Sequence, residues 1–329
     1  MAVLVTGGAG YIGSHMVLEL VDAGETVVVL DDLSTGFRET IPAEATLVTG
    51  DVADEALVAR IIDEHGVDAI AHFAAKIVVP ESVSNPLDYY LNNTAKTRTL
   101  LATAVAKGVK HFIFSSTAAV YGEPQVTPVP EDLPLSPINP YGRSKLMSEW
   151  MLQDTARAHD LRYVALRYFN VAGADPKGRS GQSTPNATHL IKVAVQTALG
   201  QRPYLQVFGT DYPTADGSCI RDYIQVSDLA RAHISALGHL RRGGESLTLN
   251  CGYGRGYSVL EVLDVVKRVS GVDFEVRRMP RRPGDPAALV AKVDRIRELL
   301  GWTPQFADLE AIVEQALRWE RKIAERQAA

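Results

Sequence analysis

Apolar positions fall in short unbroken runs along the first half of the chain, each followed by residues with helical spacing. Ala2–Val5 is the first run, the pattern of a parallel strand covered on both faces. His15–Leu20 then begins an amphipathic helix that ends near Gly24. Further runs at Thr26–Leu30, Thr46–Thr49, Ala69–Phe73, His111–Ser115 and Tyr163–Tyr168 predict strands. Helices are expected between them at Glu55–Glu64, about 86–107 and Tyr141–His159. Strands alternating with helices imply right-handed crossovers, hence an α/β fold with a doubly wound parallel sheet. After Asn170 the regularity is lost. Gly173–Asn186 is rich in Gly, Pro and Ser and reads as a long loop before a helix at Ala187–Leu199, and shorter elements follow. The expected division is residues 1–170, then a smaller mixed α/β domain over 171–329. Part of about 205–245, Asp228–Leu240 in particular, is expected to return to the sheet.

Composition narrows the partners. With 329 residues and 46% hydrophobic content the chain can bury a large core. A net charge of −5 and the lack of a long basic run argue against nucleic acid and anionic membranes. The N-terminal apolar run is too short for a signal peptide, and no run approaches a membrane span. Cys219 and Cys251 form no CxxC pair and read as reduced thiols of a cytoplasmic protein. The triplets beginning at Asn92 and Asn186 match a glycosylation sequon, a match without weight in that setting. The eight histidines show no HExxH or similar spacing, so no metal is expected.

Thr6-Gly7-Gly8-Ala9-Gly10-Tyr11-Ile12-Gly13 joins the first strand to the first helix. Gly7 permits a tight turn, Gly10 lets the backbone approach a diphosphate, and Gly13 lets helix and strand pack closely. The helix N-terminus would point its N–H groups at the anion. The second strand then delivers Asp31, a carboxylate placed for adenosine ribose hydroxyls. It would repel the extra phosphate of NADP, and no Arg or Lys precedes Arg38 to receive it, so NAD is the expected dinucleotide. Asp51, Phe73-Ala74-Ala75, Ser115-Ser116-Thr117 and Phe169-Asn170 follow strand ends and should line one crevice.

Asn139-Pro140-Tyr141-Gly142-Arg143-Ser144-Lys145 opens a helix, with Pro140 at its first position and Asn139 as cap. Tyr141 and Lys145 then share a face. Such spacing arises easily by chance among 12 tyrosines; its place after the fifth strand, behind Ser115-Ser116-Thr117, gives it meaning. A phenol is a poor base at neutral pH, and lowering its pKa by ~3 units takes roughly 4 kcal/mol. The Lys145 ammonium, the helix N-terminus and an oxidised nicotinamide are the positive influences expected to supply it.

The stretch Thr6–Gly13 with Tyr141 and Lys145 resembles the extended short-chain dehydrogenase/reductase family. Within that family the likeness is to UDP-sugar 4-epimerases and covers essentially the whole chain. His72–Ala75, Glu81–Val83, Tyr89-Tyr90, Ser115–Gly122 and Arg167–Asn170 carry it, followed by Phe208–Thr214, Asp216-Gly217, Arg221–Ile224 and Arg281–Asp285. The resemblance implies a Rossmann-type fold, tightly held NAD, and interconversion of UDP-galactose and UDP-glucose by transient oxidation at C4. It implies that Tyr141 takes the proton of the sugar 4-hydroxyl, that Thr117 bonds the 4-oxygen, and that Lys145 binds the nicotinamide ribose. Around NAD it places Gly7, Gly10, Tyr11, Ile12, Gly13, Asp31, Asp32, Leu33, Ser34, Thr35, Gly36, Asp51, Val52, Phe73, Ala74, Ala75, Lys76, Ile77, Asn92 and Phe169. Around the UDP-sugar it places Asn170, His189, Leu190, Gln206, Val207, Phe208, Arg221, Arg282, Asp285 and Leu289. The paired arginines suit a pyrophosphate, whose charges the planar guanidinium meets well.

Two positions depart from the pattern. Some 4-epimerases carry a lysine aligned with Ile77, whereas here the lysine is Lys76. Leu289 is intermediate in size where relatives vary between bulky and small, which leaves N-acetylated sugars open as substrates. Nucleotide-sugar dehydratases and decarboxylases share the Tyr–Lys pair but place acidic residues after the threonine. Ala118 and Ala119 stand there and cannot transfer protons. A 4-epimerase of another UDP-sugar and a non-catalytic dinucleotide-binding protein are the remaining alternatives. The helices at about 86–107 and Tyr141–His159 resemble those through which family members form homodimers.

Overall fold

The computed structural model describes residues 1–328 except Asn186 and Pro283. The sequon at Asn186 and the Pro283 member of the Arg281–Asp285 stretch therefore lie outside the described residues.

β1 (Ala2–Thr6), α1 (Tyr11–Asp22), β2 (Thr26–Asp31), β3 (Thr46–Thr49), α2 (Glu55–His65) and β4 (Val67–His72) open the chain. A helical stretch follows, made of α3 (Val79–Ser84), α4 (Pro86–Tyr89), a π-helical segment Tyr90–Ala95 and α5 (Lys96–Ala106). Next come β5 (His111–Thr117), a 3₁₀ turn (Ala118–Tyr121), α6 (Pro140–Ala158) and β6 (Arg162–Tyr168). β7 (Asn170–Ala172), α7 (Leu190–Ala198), β8 (Leu205–Phe208), β9 (Ile220–Gln225), α8 (Val226–Arg241) and β10 (Leu247–Cys251) continue it. β11 (Gly256–Ser258), α9 (Val259–Ser270), β12 (Val276–Met279), β13 (Ala288–Leu289), α10 (Asp294–Leu300) and α11 (Leu309–Ala328) complete it.

Seven strands form one sheet in the order β3-β2-β1-β4-β5-β6-β10, every neighbouring pair parallel. The unbroken apolar runs are explained by cover on both faces. Val3, Val5, Val29 and Ile113 face one apolar layer with α1 and α8, while Leu4, Val28, Leu30 and Phe112 face the other, with α2 and α5. A smaller sheet surrounds β9, with β11, β13 and β7 beside it, and β8 pairs in parallel with β12.

Several boundaries differ from expectation. α1 begins at Tyr11, four residues before the expected His15, directly after Gly10 of the glycine turn. β5 runs on through Ser116 and Thr117, which are strand residues rather than residues beyond its end. The helix expected from Ala187 begins at Leu190, because His189 is extended (φ −67°, ψ 132°) and serves as its cap residue. Phe73 lies just past β4, its N–H bonded to Thr6 O at 2.9 Å. Residues 226–241 form α8, packed against α1 and the sheet, and lead to β10 at the sheet edge beside β6.

Candidate active site

The strand order reverses between β1 and β4, where an open α/β sheet makes its crevice. Thr6 and His72 meet there, Thr6 Oγ1 to His72 Nδ1 at 2.6 Å. The glycine turn starts from this point. Gly7 has φ +70°, and a Cβ on it would lie 2.5 Å from Ala74 N. A Cβ on Gly13 would lie 2.1 Å from Gly7 O. Gly10 is different: its φ of −77° and ψ of 176° suit any residue, and its Cβ would meet only Gly7 O, at 3.3 Å. Neither backbone shape nor packing demands glycine at position 10. The head of α1 is thus left open to a ligand's close approach, and no acidic side chain occupies that first turn.

Asp31 closes the turn from the other side. One carboxylate oxygen accepts from Ala9 N at 2.9 Å and the other from Leu33 N at 2.8 Å. Burial pushes its carboxyl up, against the pull of those N–H donors. Each oxygen keeps a further acceptor position, so the cradle fits a diol beside a diphosphate. Leu33 takes a left-handed φ of 59°, shaping the loop that carries Asp32, Ser34 and Thr35. Asp32 is exposed and accepts from Ser34 N and Oγ. A Cβ on Gly36 would lie 2.7 Å from Ala9 Cβ, so this loop presses on the glycine turn. Tyr11 is anchored by its hydroxyl to Gly173 O at 2.8 Å. Asp51 accepts from Ala53 N and pairs with Lys96, and Val52 is buried beside it.

The segment Phe73–Ile77 crosses this floor. Asn93 holds it, accepting from Lys76 N at 2.8 Å and donating to Lys76 O at 2.9 Å. The Tyr89 hydroxyl grips Val78 the same way, accepting from its N–H at 2.9 Å and donating to its carbonyl at 2.8 Å. The Lys76 ammonium pairs with Asp88 and approaches Glu81 at 3.9 Å, so its charge is engaged at α3 and α4. Ile77 is exposed, while Asn92 is half-buried and donates to Asn93 Oδ1. Sequence reasoning singled out Asn92 and missed Asn93, whose buried amide does the anchoring. The helical offset between the two neighbours was the available signal, since only one of them faces inward, toward Lys76 and Ser144 of α6.

The chemical groups lie at the carboxyl end of β5. Asn139 caps α6, accepting from Gly142 N at 2.8 Å, with Pro140 in the first turn. Tyr141 is half-buried; desolvation pushes its phenol up, and the neighbouring Thr117 hydroxyl pulls the other way. Lys145 is buried, donates to Ser115 O at 2.9 Å, and lies 5.0 Å over the Phe114 ring. Burial brings its ammonium down to about 7, with the Glu149 carboxylate opposing the shift. In the protein alone, then, desolvation outweighs the activating influences expected for Tyr141. Phe169, next to the end of β6, packs into the core.

Two clusters stand on the far side. Asn170, His189 and Leu190 line one cavity with Gln182, Lys192 and Glu320. His189 Nδ1 is 2.8 Å from Gln182 Nε2, and burial pushes its imidazole down. The second cluster joins β8, β9 and β13. Arg221 pairs with Asp285 and donates to Ile220 O at 2.7 Å, while the Arg282 guanidinium stacks 3.7 Å over the Phe208 ring. Leu289 is paired in register with Arg221. Along β8, Val207 is buried in the core whereas Gln206 is exposed, so Val207 offers a ligand only its backbone.

A glycine-turn cradle and a Tyr–Lys pair with its lysine buried, at one end of a parallel sheet, define a dinucleotide-dependent enzyme of the α/β class. Residues 3–252 match the NAD dependent epimerase/dehydratase family, and the chain belongs to that family. A UDP-glucose 4-epimerase of Azospirillum brasilense is 61% identical over 321 residues, 98% of this chain and 92% of that one. The crystal structure of UDP-glucose 4-epimerase from Brucella ovis in complex with NAD is 44% identical, with a TM-score of 0.94 over 96% of this chain and 97% of that one. The UDP-glucose-4-epimerase from Stenotrophomonas maltophila, with bound NAD and formylated UDP-arabinopyranose, is 39% identical, with a TM-score of 0.96 over 100% of both chains.

Proposed function

We propose that this protein interconverts UDP-galactose and UDP-glucose by transient oxidation at C4, with NAD retained between turnovers. The observation that carries the reading is the set Thr117, Tyr141 and Lys145 at the carboxyl end of β5, beside the Gly7–Gly13 cradle. Identity to UDP-glucose 4-epimerases over nearly the whole chain supports it. NAD, the cofactor of the family, supplies the acceptor and donor of the C4 hydride.

Tyr141 takes the proton of the 4-hydroxyl, and Thr117 holds the same oxygen. Lys145 fixes the ribose beside Tyr141 and, when charged, favours the phenolate. Asp31 receives the adenosine ribose, and Asp32–Gly36, Asp51, Val52, Phe73–Ile77 and Asn92 surround the remainder of the cofactor. Arg221 and Arg282 meet the pyrophosphate, with Asp285, Phe208 and Leu289 beside them and Asn170, His189 and Leu190 toward the sugar. Ala118 and Ala119 leave no acid next to Thr117, which disfavours loss of water as the outcome. Residues 1–170 with α8 and β10 form the cofactor unit, and the remainder of 171–329 forms the sugar side. The exposed Leu91, Met147 and Trp150 on the helices around residues 86–106 and α6 support a homodimer through that face. The free, buried Cys219 and Cys251 suit the cytoplasm.

The purified protein, given UDP-galactose and no added NAD, should form UDP-glucose, followed by chromatography. No conversion, with NAD nonetheless released on denaturation, would overturn the substrate assignment and leave the cofactor assignment standing.

A further inference from the structure

Behind the catalytic helix lies a buried ion pair whose carboxylate bears on the Lys145 charge but whose hydrogen bonds the chemistry above does not use. Glu149 follows Lys145 by one turn of α6 and Tyr141 by two, so the three share the face packed on the sheet. One Glu149 oxygen accepts from Arg167 Nε at 3.0 Å and from the Ser116 hydroxyl, and the other accepts from Arg167 Nη2 at 2.7 Å. The two side chains are 0% and 4% exposed. Arg167, on β6, also donates from Nη1 to the Tyr121 hydroxyl at 2.9 Å and to Glu131 O at 3.2 Å. Tyr121 in turn donates to Asn250 of β10 at 2.7 Å. One polar chain therefore runs from α6 across β5 and β6 to the 3₁₀ turn and β10.

Such a pair is a weak device for stability, since desolvating both charges offsets most of their attraction. Its position suggests a different use. The last three residues of β5 each grip one turn of α6: the Ser115 carbonyl takes Lys145, the Ser116 hydroxyl takes Glu149, and the Thr117 hydroxyl lies against Tyr141. Of these, the Glu149 contact alone is backed by a rigid two-point fork from a second strand.

We propose that Glu149, clamped by Arg167 and Ser116, is a positioning residue that fixes how far along and how turned α6 sits on β5. It thereby sets the Tyr141–Thr117 and Lys145–Ser115 contacts together. This rests on the reading of Tyr141 as the base.

Glu149→Gln keeps the volume but removes the charge and the two-oxygen fork. A misplaced reacting group lowers kcat with little effect on binding, so kcat for UDP-galactose should fall about 10- to 100-fold. The KM and the NAD content should stay within about two-fold. A purely structural role would lower the melting temperature and leave kcat alone. If Glu149→Gln folds, it decides. If it does not, Ser116→Ala, which deletes one donor to the same oxygen, decides by a kcat loss of about three-fold or more under the same conditions. Unchanged kcat in the deciding variant, or a loss confined to KM or NAD content, overturns the proposal. Tyr141→Phe run alongside separates the failures. If Tyr141→Phe keeps full activity, the base assignment is wrong; if it is inactive and the deciding variant is normal, the clamp alone is wrong.

Discussion

Replacing Gly13 and Gly10 by alanine, one at a time, tests whether the turn at the head of α1 is built for its own packing or for a ligand. At Gly13 a new Cβ would stand 2.1 Å from Gly7 O and 2.8 Å from Gly8 Cα, both backbone atoms with no rotamer to change. Ordinary contact begins near ~3.4 Å, so turn and helix must part by roughly 1 Å, at about 1–3 kcal/mol for overpacking. At Gly10 the same methyl group meets only Gly7 O, at 3.3 Å, in a conformation alanine adopts freely. That change should cost less than about 0.5 kcal/mol of stability. A methyl group standing where the diphosphate must touch the backbone should nevertheless weaken NAD by tenfold or more, about 1.4 kcal/mol. The assays are denaturant unfolding of each variant and NAD released per chain after denaturation, with protein stripped and reloaded at graded NAD. Gly13→Ala should lose stability in both conditions, and Gly10→Ala should lose only the stabilisation that NAD provides. A Gly10→Ala protein that holds NAD as tightly as the parent would refute the reasoning, as would a Gly13→Ala protein of unchanged stability.

Four further outcomes are expected. Tyr141→Phe should keep its NAD and lose about 10²–10⁴-fold in kcat, and an unaltered kcat would remove Tyr141 from the chemistry. Glu320→Ala strands the buried Lys192 ammonium and should cost about 3–5 kcal/mol, whereas Lys192→Met with Glu320→Leu should be near neutral; equal losses in urea titrations would contradict this. Lys145 loses its proton at about 7 when folded, so the unfolded chain binds more protons from there up to about 10. Stability should therefore gain a contribution as pH rises through that window and lose it as pH falls through about 7. Lys145→Met should flatten that slope in denaturant titrations between pH 7 and ~9.5, and identical slopes would count against it. Leu289→Tyr should suppress any turnover of UDP-N-acetylglucosamine while sparing UDP-glucose, and an equal loss on both would sink the pocket assignment.

The sheet was legible because its strands are covered on both faces, which writes them as solid Val, Leu and Ile runs such as Val3–Val5 and Val27–Leu30. The glycine turn and Tyr141–Lys145 were legible because each is local: a strand, a turn and one helical face fix them. What escaped was non-local. β10 reads as an indifferent Leu-Thr-Leu-Asn-Cys stretch until β6 is beside it, its register set by a partner about 80 residues away (Leu247 with Val164). Glu149 and Arg167 look like ordinary surface charges on a helix and a strand, and only the packing of α6 on β6 makes them a buried pair. His189 and Leu190, singled out by the resemblance, stand at the head of α7, which begins three residues later than the sequence pattern implies because Thr188 and His189 carry no periodic signal of their own.

β10 closes one edge of the sheet although the chain reaches it only after building β8 and β9. The segments flanking Arg221 and Leu289 are thus threaded before and after a strand of the cofactor-bearing sheet. Exchanging everything beyond residue 170 for the corresponding block of a stranger would tear out that strand and the α8 helix lying on α1. A single protease nick in the 173–189 loop would likewise leave the two fragments interlocked. Under the proposed assignment, new sugar preferences in this lineage must arise residue by residue around β8, β9 and β13, in a molecule that cannot trade its cap as a cassette.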